Sequence, residues 1–475
     1  MLFNSLAFLL FYAAIVPVYF LLKHKYRWGL LLLGSCYFYM YFIPIYIVIL
    51  AVTIVIDYFA GILIYNARGN KKKKFLVLSI VANLGVLAFF KYYGFLNENI
   101  SLLLTQFNIR SPLPNLSFLL PVGLSFHTFQ AMSYTIEVYK GNQKPERHFG
   151  YYALYVMYFP QLVAGPIERP QNMLHQFHAN HLFNWHRFLH GSQLMLWGFF
   201  KKVVVADRLA VYVQQGYAET NPWFHFVSAV FFSFQIYCDF SGYSDIAAGS
   251  SKIMGIDLMQ NFNKPYHAKT ISDFWSRWHI SLSTWFKDYM YIPLGGNKNG
   301  EWKRMRNIGL VFLVSGLWHG ASWTFVFWGG LHAVFTLAES IITKNTWLSF
   351  GKLIVNKLTV FLCVTFAWIF FRISDFSSAV ITCISAKDGL LDFVSDLFQH
   401  NFFEQLTRYR LLTFSTPEKA ICGFALLALL LGDRWFDLYK EKLSGNSQIF
   451  FFVILTSIIA VFGYSSNEQF IYFQF

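Results

Sequence analysis

The sequence predicts an all-α, polytopic integral membrane protein, and three observations predict it. Of 475 residues, 56% are hydrophobic and only 13% are charged, and the mean hydropathy is +0.43. A water-soluble fold cannot bury that much apolar surface. The apolar residues come in runs of helical length, such as Tyr46 to Ile64 and Phe224 to Tyr237. Basic residues gather in the short loops beside those runs, at Lys23, Lys25 and Arg27, at Arg68 to Lys74 and at Lys140 to His148. That is the placement of the positive-inside rule. It accounts for the formal net charge of +14 without a nucleic-acid partner, so membrane lipids are expected and nucleic acid is not. The 55 Phe, 28 Tyr and 14 Trp suit aromatic belts and aromatic-lined cavities.

Taken in order, Leu2 to Leu22 lacks a basic leader region and a small-residue cleavage site, so it reads as a first transmembrane helix. The basic residues after it put that loop in the cytoplasm and the N-terminus outside. Trp28 to Tyr41 and Tyr46 to Ile64 go out and back, turning near Pro44. Phe75 to Phe90 goes out. Asn97 to Asn115, with Pro112 and Pro114, reads as a polar outer loop, and Phe118 to Val138 returns. Tyr151 to Val163 is apolar but short, and Pro166 and Pro170 stop it from continuing as a helix. A re-entrant or interfacial segment is expected there. Phe188 to Phe200 and Val203 to Val213 flank Lys201 and Lys202, which read as inner-loop residues.

Phe224 to Tyr237 runs into Asp239 and Asp245. A bare carboxylate at the bilayer centre costs about 2.5–3.5 kcal/mol, so both should face a wet cavity or pair with a cation. A polar helix-packing contact and a catalytic role both stay open. At 100° per residue, Asp273 to Tyr289 gathers Trp275, Trp278, Leu282, Trp285, Phe286 and Tyr289 on one face. Asp273, Arg277, Thr284 and Asp288 take the other. This predicts one amphipathic helix in the interface or along a cavity. His279 falls on the aromatic side, where burial would keep its ring neutral and able to accept a proton. A histidine snorkelling at the interface gives the same pattern.

The run from Asn307 to Ile342 holds Gly316-Leu317-Trp318-His319-Gly320-Ala321-Ser322-Trp323. As one helix its roughly 36 residues would span about 54 Å, well beyond the ~30 Å hydrocarbon core. It should break, with Gly316, Gly320 and Ser322 marking the place. A lone histidine on an apolar stretch is most often a satisfied core residue. A titratable ring at a helix break inside a membrane is nonetheless a functional-site candidate.

Leu353 to Phe371 follows, then an outer region from Arg372 to Glu418 with no strong span, Ala420 to Leu431, a mixed-charge inner stretch from Asp433 to Lys442, and Ile449 to Phe462 going out. The last residues, Ser465 to Phe475, then lie outside. A terminus ending Phe470-Ile471-Tyr472-Phe473-Gln474-Phe475 is too apolar to dangle in water. It should fold back into a groove of this protein or of a partner, or anchor at the interface. The five cysteines lie mostly in apolar runs with no CxxC and read as packing residues. No metal site is expected. There is no tandem repeat, P-loop or HExxH.

Six stretches in order carry a resemblance to a known family. They are Leu120 to Phe126, Phe159 to Ile167, Asp239 to Asp245, Asn261 to Tyr266, Phe274 to Asn297 and Gly316 to Trp323. Together they resemble the bacterial branch of the membrane-bound O-acyltransferases, especially the membrane subunits that O-acetylate alginate and peptidoglycan. The resemblance implies a helical bundle with re-entrant and interfacial helices around a central tunnel. It implies one membrane-embedded domain over 1–475, with a catalytic core at about 118–345 and an extracytoplasmic tail at 465–475. Carried over residue by residue, it puts the family's essential histidine at His319 and its second histidine at His279, approaching the tunnel from opposite sides. Phe470, Tyr472 and Phe475 match a C-terminal aromatic pattern in which the tyrosine, here Tyr472, looks like an acyl relay. Ser465 to Glu468 would be its hinge. Asp239, Asp245, Arg277 and Trp318 are candidates for the tunnel lining, and Lys201 and Lys202 for contact with the donor's phosphates, although positive-inside bias alone explains the two lysines.

The implied function is O-acetyl transfer, with cytoplasmic acetyl-CoA as a substrate rather than a bound cofactor. The acceptor would be a polysaccharide outside the inner membrane, reached through a periplasmic esterase-like transferase partner. A lipid or protein O-acyltransferase with the same core is one alternative, and a non-catalytic transporter of an acyl donor or glycan is another.

Overall fold

The computed structural model describes residues 1–109, 114, 116, 120–298, 300–344, 356–399, 416–435, 445–464 and 471. Tyr472, Phe470, Phe475, the hinge at 465–468 and most of the mixed-charge stretch, from 436 onward, lie outside the described residues. Those described are helical with no strands. Among the described residues, four stretches are long and apolar enough to cross a bilayer, at Pro44–Asn66, Asn70–Gln106, Trp323–Thr343 and Gly445–Phe462. The chain is an all-α polytopic membrane protein. It divides into two compact units, one of 1–195 with 244–259 and one of 196–243 with 260–475.

The first unit opens with α1 (Leu6–Leu21), α2 (His24–Met40) and α3 (Ile47–Asn66). Next come α4 (Asn70–Leu87), a widened turn at Ala88–Tyr92 and α5 (Tyr93–Gln106). The predicted outer loop therefore starts later than its polarity suggested, because residues 97–106 extend the helix. A buried polar knot ties α3 and α4 to α6 (Leu124–Lys140). Asp57 accepts from Ser79 Oγ at 2.6 Å and Asn83 Nδ2 at 2.8 Å, and Ser79 Oγ also reaches Thr135 Oγ1 at 3.1 Å. A carboxylate among apolar helices needs such donors. The short apolar run becomes α7 (Phe149–Met157) and α8 (Phe159–Leu162), too short to cross a bilayer. Gly123, at φ +76, lies where any Cβ would meet Leu162 O at 2.6 Å. Two of the recognised motifs thus touch backbone to backbone. The unit continues with α9 (Pro170–His178).

The chain passes between the units within α10 (Trp185–Phe199) and α12 (Pro222–Ile253). In the second unit, α10 leads through a widened turn at Phe200–Ala206 into α11 (Asp207–Ala218). Lys201 and Lys202 sit on that turn and are buried, so they are not inner-loop residues. The sequence hid this because one of the two carboxylates that pair with Lys202, Asp239, is distant in the chain. Helix α12 continues unbroken through Asp239 and Asp245. The predicted single helix at 273–289 is instead α13 (Ile271–Arg277), a kink, and α14 (Ile280–Phe286).

Helix α15 (Glu301–His319) then ends and α16 (Trp323–Lys344) begins, so the long run breaks at Gly320 as predicted. Gly316 stays inside the helix and serves packing. A Cβ there would lie 2.3 Å from Phe325 O, and one at Gly329 would lie 2.2 Å from Phe312 O. Small residues let the two backbones touch, as membrane helices often require. The remainder is α17 (Lys357–Arg372), α18 (Phe376–Gln399), α19 (Thr416–Trp435) and α20 (Gly445–Phe462). Helix α18 fills much of the region expected to lack a strong span, and it is not among the four spans.

Candidate active site

The second unit brings His279 and His319 together. Their ring centroids lie 6.4 Å apart. An oxygen hydrogen-bonded to an imidazole nitrogen lies about 4 Å from the ring centre, so both rings can address one small group between them.

His279 is fully buried at the kink between α13 and α14, with φ 44° and ψ 55°. A left-handed conformation at a non-glycine residue costs roughly 1–2 kcal/mol, so something must hold it. The strand-like passage at Asn261 to Asn263 does so. Asn263 N donates to Arg277 O at 2.9 Å and Ile280 N donates to Asn261 O at 2.9 Å. The Asn261 side chain finishes the work. Its Oδ1 accepts from Ser281 N at 3.2 Å and Ser281 Oγ at 2.9 Å, and it lies 3.2 Å from His279 Nδ1. A distant asparagine thus caps α14, where a local side chain would ordinarily serve.

That cap also fixes the histidine's tautomer. A backbone N–H donates to the same Asn261 atom, so that atom is the amide oxygen, and His279 Nδ1 must carry the proton it shares. Nε2 then carries the lone pair, the arrangement a general base or hydrogen-bond acceptor needs. Burial pushes the imidazolium down to about 3. This part of the expectation holds: the ring is desolvated and neutral at physiological pH.

His319 closes α15 and is buried. Its ring meets Trp318 at 5.0 Å, Trp328 at 5.1 Å edge-on and Phe371 at 5.4 Å. Trp318 also lies 6.2 Å from the His279 ring, and Phe240 meets that ring at 4.7 Å. The two imidazoles therefore share an aromatic wall. A third buried histidine shows what a core role looks like. His332 Nδ1 accepts from Trp275 Nε1 at 3.3 Å inside a box of aromatic rings.

Asp239 is buried and paired. Lys202 Nζ lies 2.6 Å from Asp239 Oδ1 and 2.8 Å from Asp207 Oδ1. Asp239 Oδ2 accepts from the backbone N–H of Ile471 at 2.8 Å. Ile471 is itself buried, so at this point the terminal segment does fold back into its own protein. Arg277 is partly exposed and paired with Asp273 at 2.7 Å. Asp245 lies six residues beyond Asp239 on α12, buried in the first unit. Six residues turn a helix by about 600°, so the two carboxylates leave it roughly 120° apart. Among the described residues no three His, Cys, Asp or Glu side chains converge on a metal position.

Sequence reasoning missed Asn261 and Ser281 as the side chains that hold the His279 kink and misread Lys202. Asn261 did carry a signal, since it opens one of the recognised stretches. Nothing local tied it to His279, 18 residues away.

Comparison with known proteins adds the remaining constraint. A model described as MBOAT, membrane-bound O-acyltransferase family, matches residues 146–377. The chain is 37% identical over 391 residues to the probable alginate O-acetylase AlgI of Pseudomonas aeruginosa, covering 80% of this chain and 73% of that protein. It is 33% identical over 488 residues to the peptidoglycan O-acetyltransferase of Helicobacter pylori, covering 94% of this chain and 91% of that protein. It is also 29% identical over 280 residues to the teichoic acid D-alanyltransferase of Bacillus subtilis, covering 54% and 68%.

Proposed function

Because this chain belongs to the membrane-bound O-acyltransferase family and is an O-acyltransferase, we propose that it moves acetyl groups from cytoplasmic acetyl-CoA to a polysaccharide outside the bacterial inner membrane. The relatives named for alginate and peptidoglycan acetylation support a cell-envelope or exported glycan as acceptor. In this reading both termini face outward.

The observation that carries the proposal is the pairing of two buried imidazoles, 6.4 Å apart, in the unit that also buries Ile471. Ile471 immediately precedes Tyr472. A tyrosine hydroxyl with a pKa near 10 needs a base before it attacks a thioester. In the first step the Tyr472 oxygen attacks the acetyl carbonyl of acetyl-CoA. The new C–O bond forms, the C–S bond breaks, and His319 takes the phenol proton and delivers it to the departing thiolate. His279, with Nδ1–H committed to Asn261, orients the donor or acceptor through Nε2. In the second step a hydroxyl of an esterase-like periplasmic transferase, or of the glycan, attacks the tyrosyl ester. The acetyl group leaves with that oxygen and Tyr472 regains its proton. Asp239 and Trp318 line or brace the path.

The test is acetyl transfer to polymer by membranes carrying the wild-type chain, His319→Ala or Tyr472→Phe, supplied with labelled acetyl-CoA. Both variants should lose transfer. Full transfer by Tyr472→Phe would replace the relay with direct transfer to the acceptor. Full transfer by His319→Ala would remove His319 as the base.

A further inference from the structure

The widened turn at Phe200–Ala206 is used by neither imidazole, yet it holds the residue just past the last described helix. Just past α20, Tyr464 N donates to Val203 O at 2.8 Å, and Arg208 donates to Phe462 O at 2.8 Å. The Arg208 guanidinium also lies over the Tyr464 ring, 5.6 Å from its centre. Seven residues later, Ile471 N donates to Asp239 Oδ2, while Asp239 Oδ1 and Asp207 Oδ1 share Lys202 Nζ. A turn wider than an α-helix leaves the regular ladder, which is how Val203 O comes to take a donor from elsewhere.

We propose that this turn and Asp239 form a two-point main-chain capture site for the chain's own C-terminal segment, with Asp239 a positioning residue for Tyr472. The second clause rests on the acyl-relay reading above. The charge arrangement explains why the site holds backbone. Lys202 pairs with Asp239 Oδ1, and the other oxygen of this buried carboxylate needs a donor of its own. The Ile471 amide supplies that donor, and a hydrogen bond to an ionised acceptor is among the stronger kind. The hydrogen bond reads no side chain, so any residue that fits the buried position and keeps an amide hydrogen at 471 can make it, and proline cannot. Asp239, which captures Ile471, sits on the same turn of α12 as a ring that touches His279. Phe240, next to Asp239 in sequence, is the ring that meets His279 edge-on at 4.7 Å.

The test is hydrogen–deuterium exchange of the terminal peptide in the full-length protein. Wild type, Ile471→Val, Ile471→Pro and Asp239→Ala are compared, with α15–α16 peptides as the fold control. Wild type and Ile471→Val should protect the terminal peptide. Ile471→Pro should speed its exchange about 10- to 100-fold, the effect of losing one charge-assisted bond, with α15–α16 unchanged. Asp239→Ala should do the same wherever it keeps the fold. If Asp239→Ala unfolds because Lys202 loses a partner, Ile471→Pro still decides. Wild-type exchange as fast as in an unstructured peptide would overturn the capture site, as would Ile471→Pro leaving protection intact.

Acetyl turnover separates the two readings. Capture plus relay predicts that Ile471→Pro lowers kcat with KM for acetyl-CoA unchanged, a split that general loosening would not give. Lost protection with unchanged kcat would keep the capture site and remove the relay. An unprotected wild-type tail that still becomes acetylated would remove the capture site and keep the relay.

Discussion

Two helix breaks carry the two histidines, and they are made differently. The break after His319 is written where it occurs. Gly320 faces the Phe325 ring so closely that a Cβ would lie 2.1 Å from it, and Gly316 presses α15 onto α16. The break at His279 contains no glycine or proline. It is imposed by Asn261 and Asn263, which bond the backbone on both sides of a left-handed residue. A break encoded locally tolerates changes elsewhere in the chain, whereas one imposed from a distance fails when its distant partner changes.

The largest expected effect comes from His319 itself. His319→Ala should lower acetyl transfer by about 10²–10⁴-fold, the usual contribution of a positioned base, in protein that stays folded despite the lower melting temperature expected from the vacated ring site. An equal loss from His279→Ala would erase the functional half of the comparison. The next effect is on packing. Gly316→Val should destabilise the protein by about 1–3 kcal/mol through overpacking, read as a lower melting temperature in detergent. A neutral result would mean that α15 and α16 can separate without loss.

Asn261→Ala should then cost about 1–2 kcal/mol for the lost cap and lower kcat as His279 loses its fixed tautomer. Asn261→Asp keeps an acceptor for Ser281 N and His279 Nδ1, and should restore much of the activity while shifting the pH profile upward, since a carboxylate beside the ring favours its charged form. Equal damage from both substitutions would mean that the shape of Asn261 matters and its oxygen does not.

The smallest effect is on stability against pH. His279 has a folded-state value near 3 against about 6.5 unfolded. Between those values the unfolded chain binds a proton that the native ring refuses, so stability falls as pH falls. From pH 7 to pH 6 the loss is about 0.7 kcal/mol. Thermal melts of wild type and His279→Asn should show the variant with a correspondingly flatter pH dependence.

The same contrast governs what the sequence made legible. Helix class, the break at Gly320 and the desolvation of His279 follow from composition, local glycines and an aromatic stripe, all of which act over a few residues. The kink at His279 was invisible because its cause lies at Asn261, so the 100° pattern read one helix where there are two. Lys202 looked like a loop cation because its carboxylates come from Asp207 and, 37 residues away, Asp239. The helix at residues 97–106 was hidden by its own polarity, and the one at 376–399 by interspersed Ser, Lys and Asp that weaken its apolar signal. The return of Ile471 was legible as a need to bury an apolar end, but its receptor was not.

The most direct measurement is mass mapping of the C-terminal peptide after brief exposure of purified protein to isotope-labelled acetyl-CoA. The account predicts label on Tyr472 in wild type and none in His319→Ala. CoA release by wild type with no label on Tyr472, or equal labelling in His319→Ala, would contradict it.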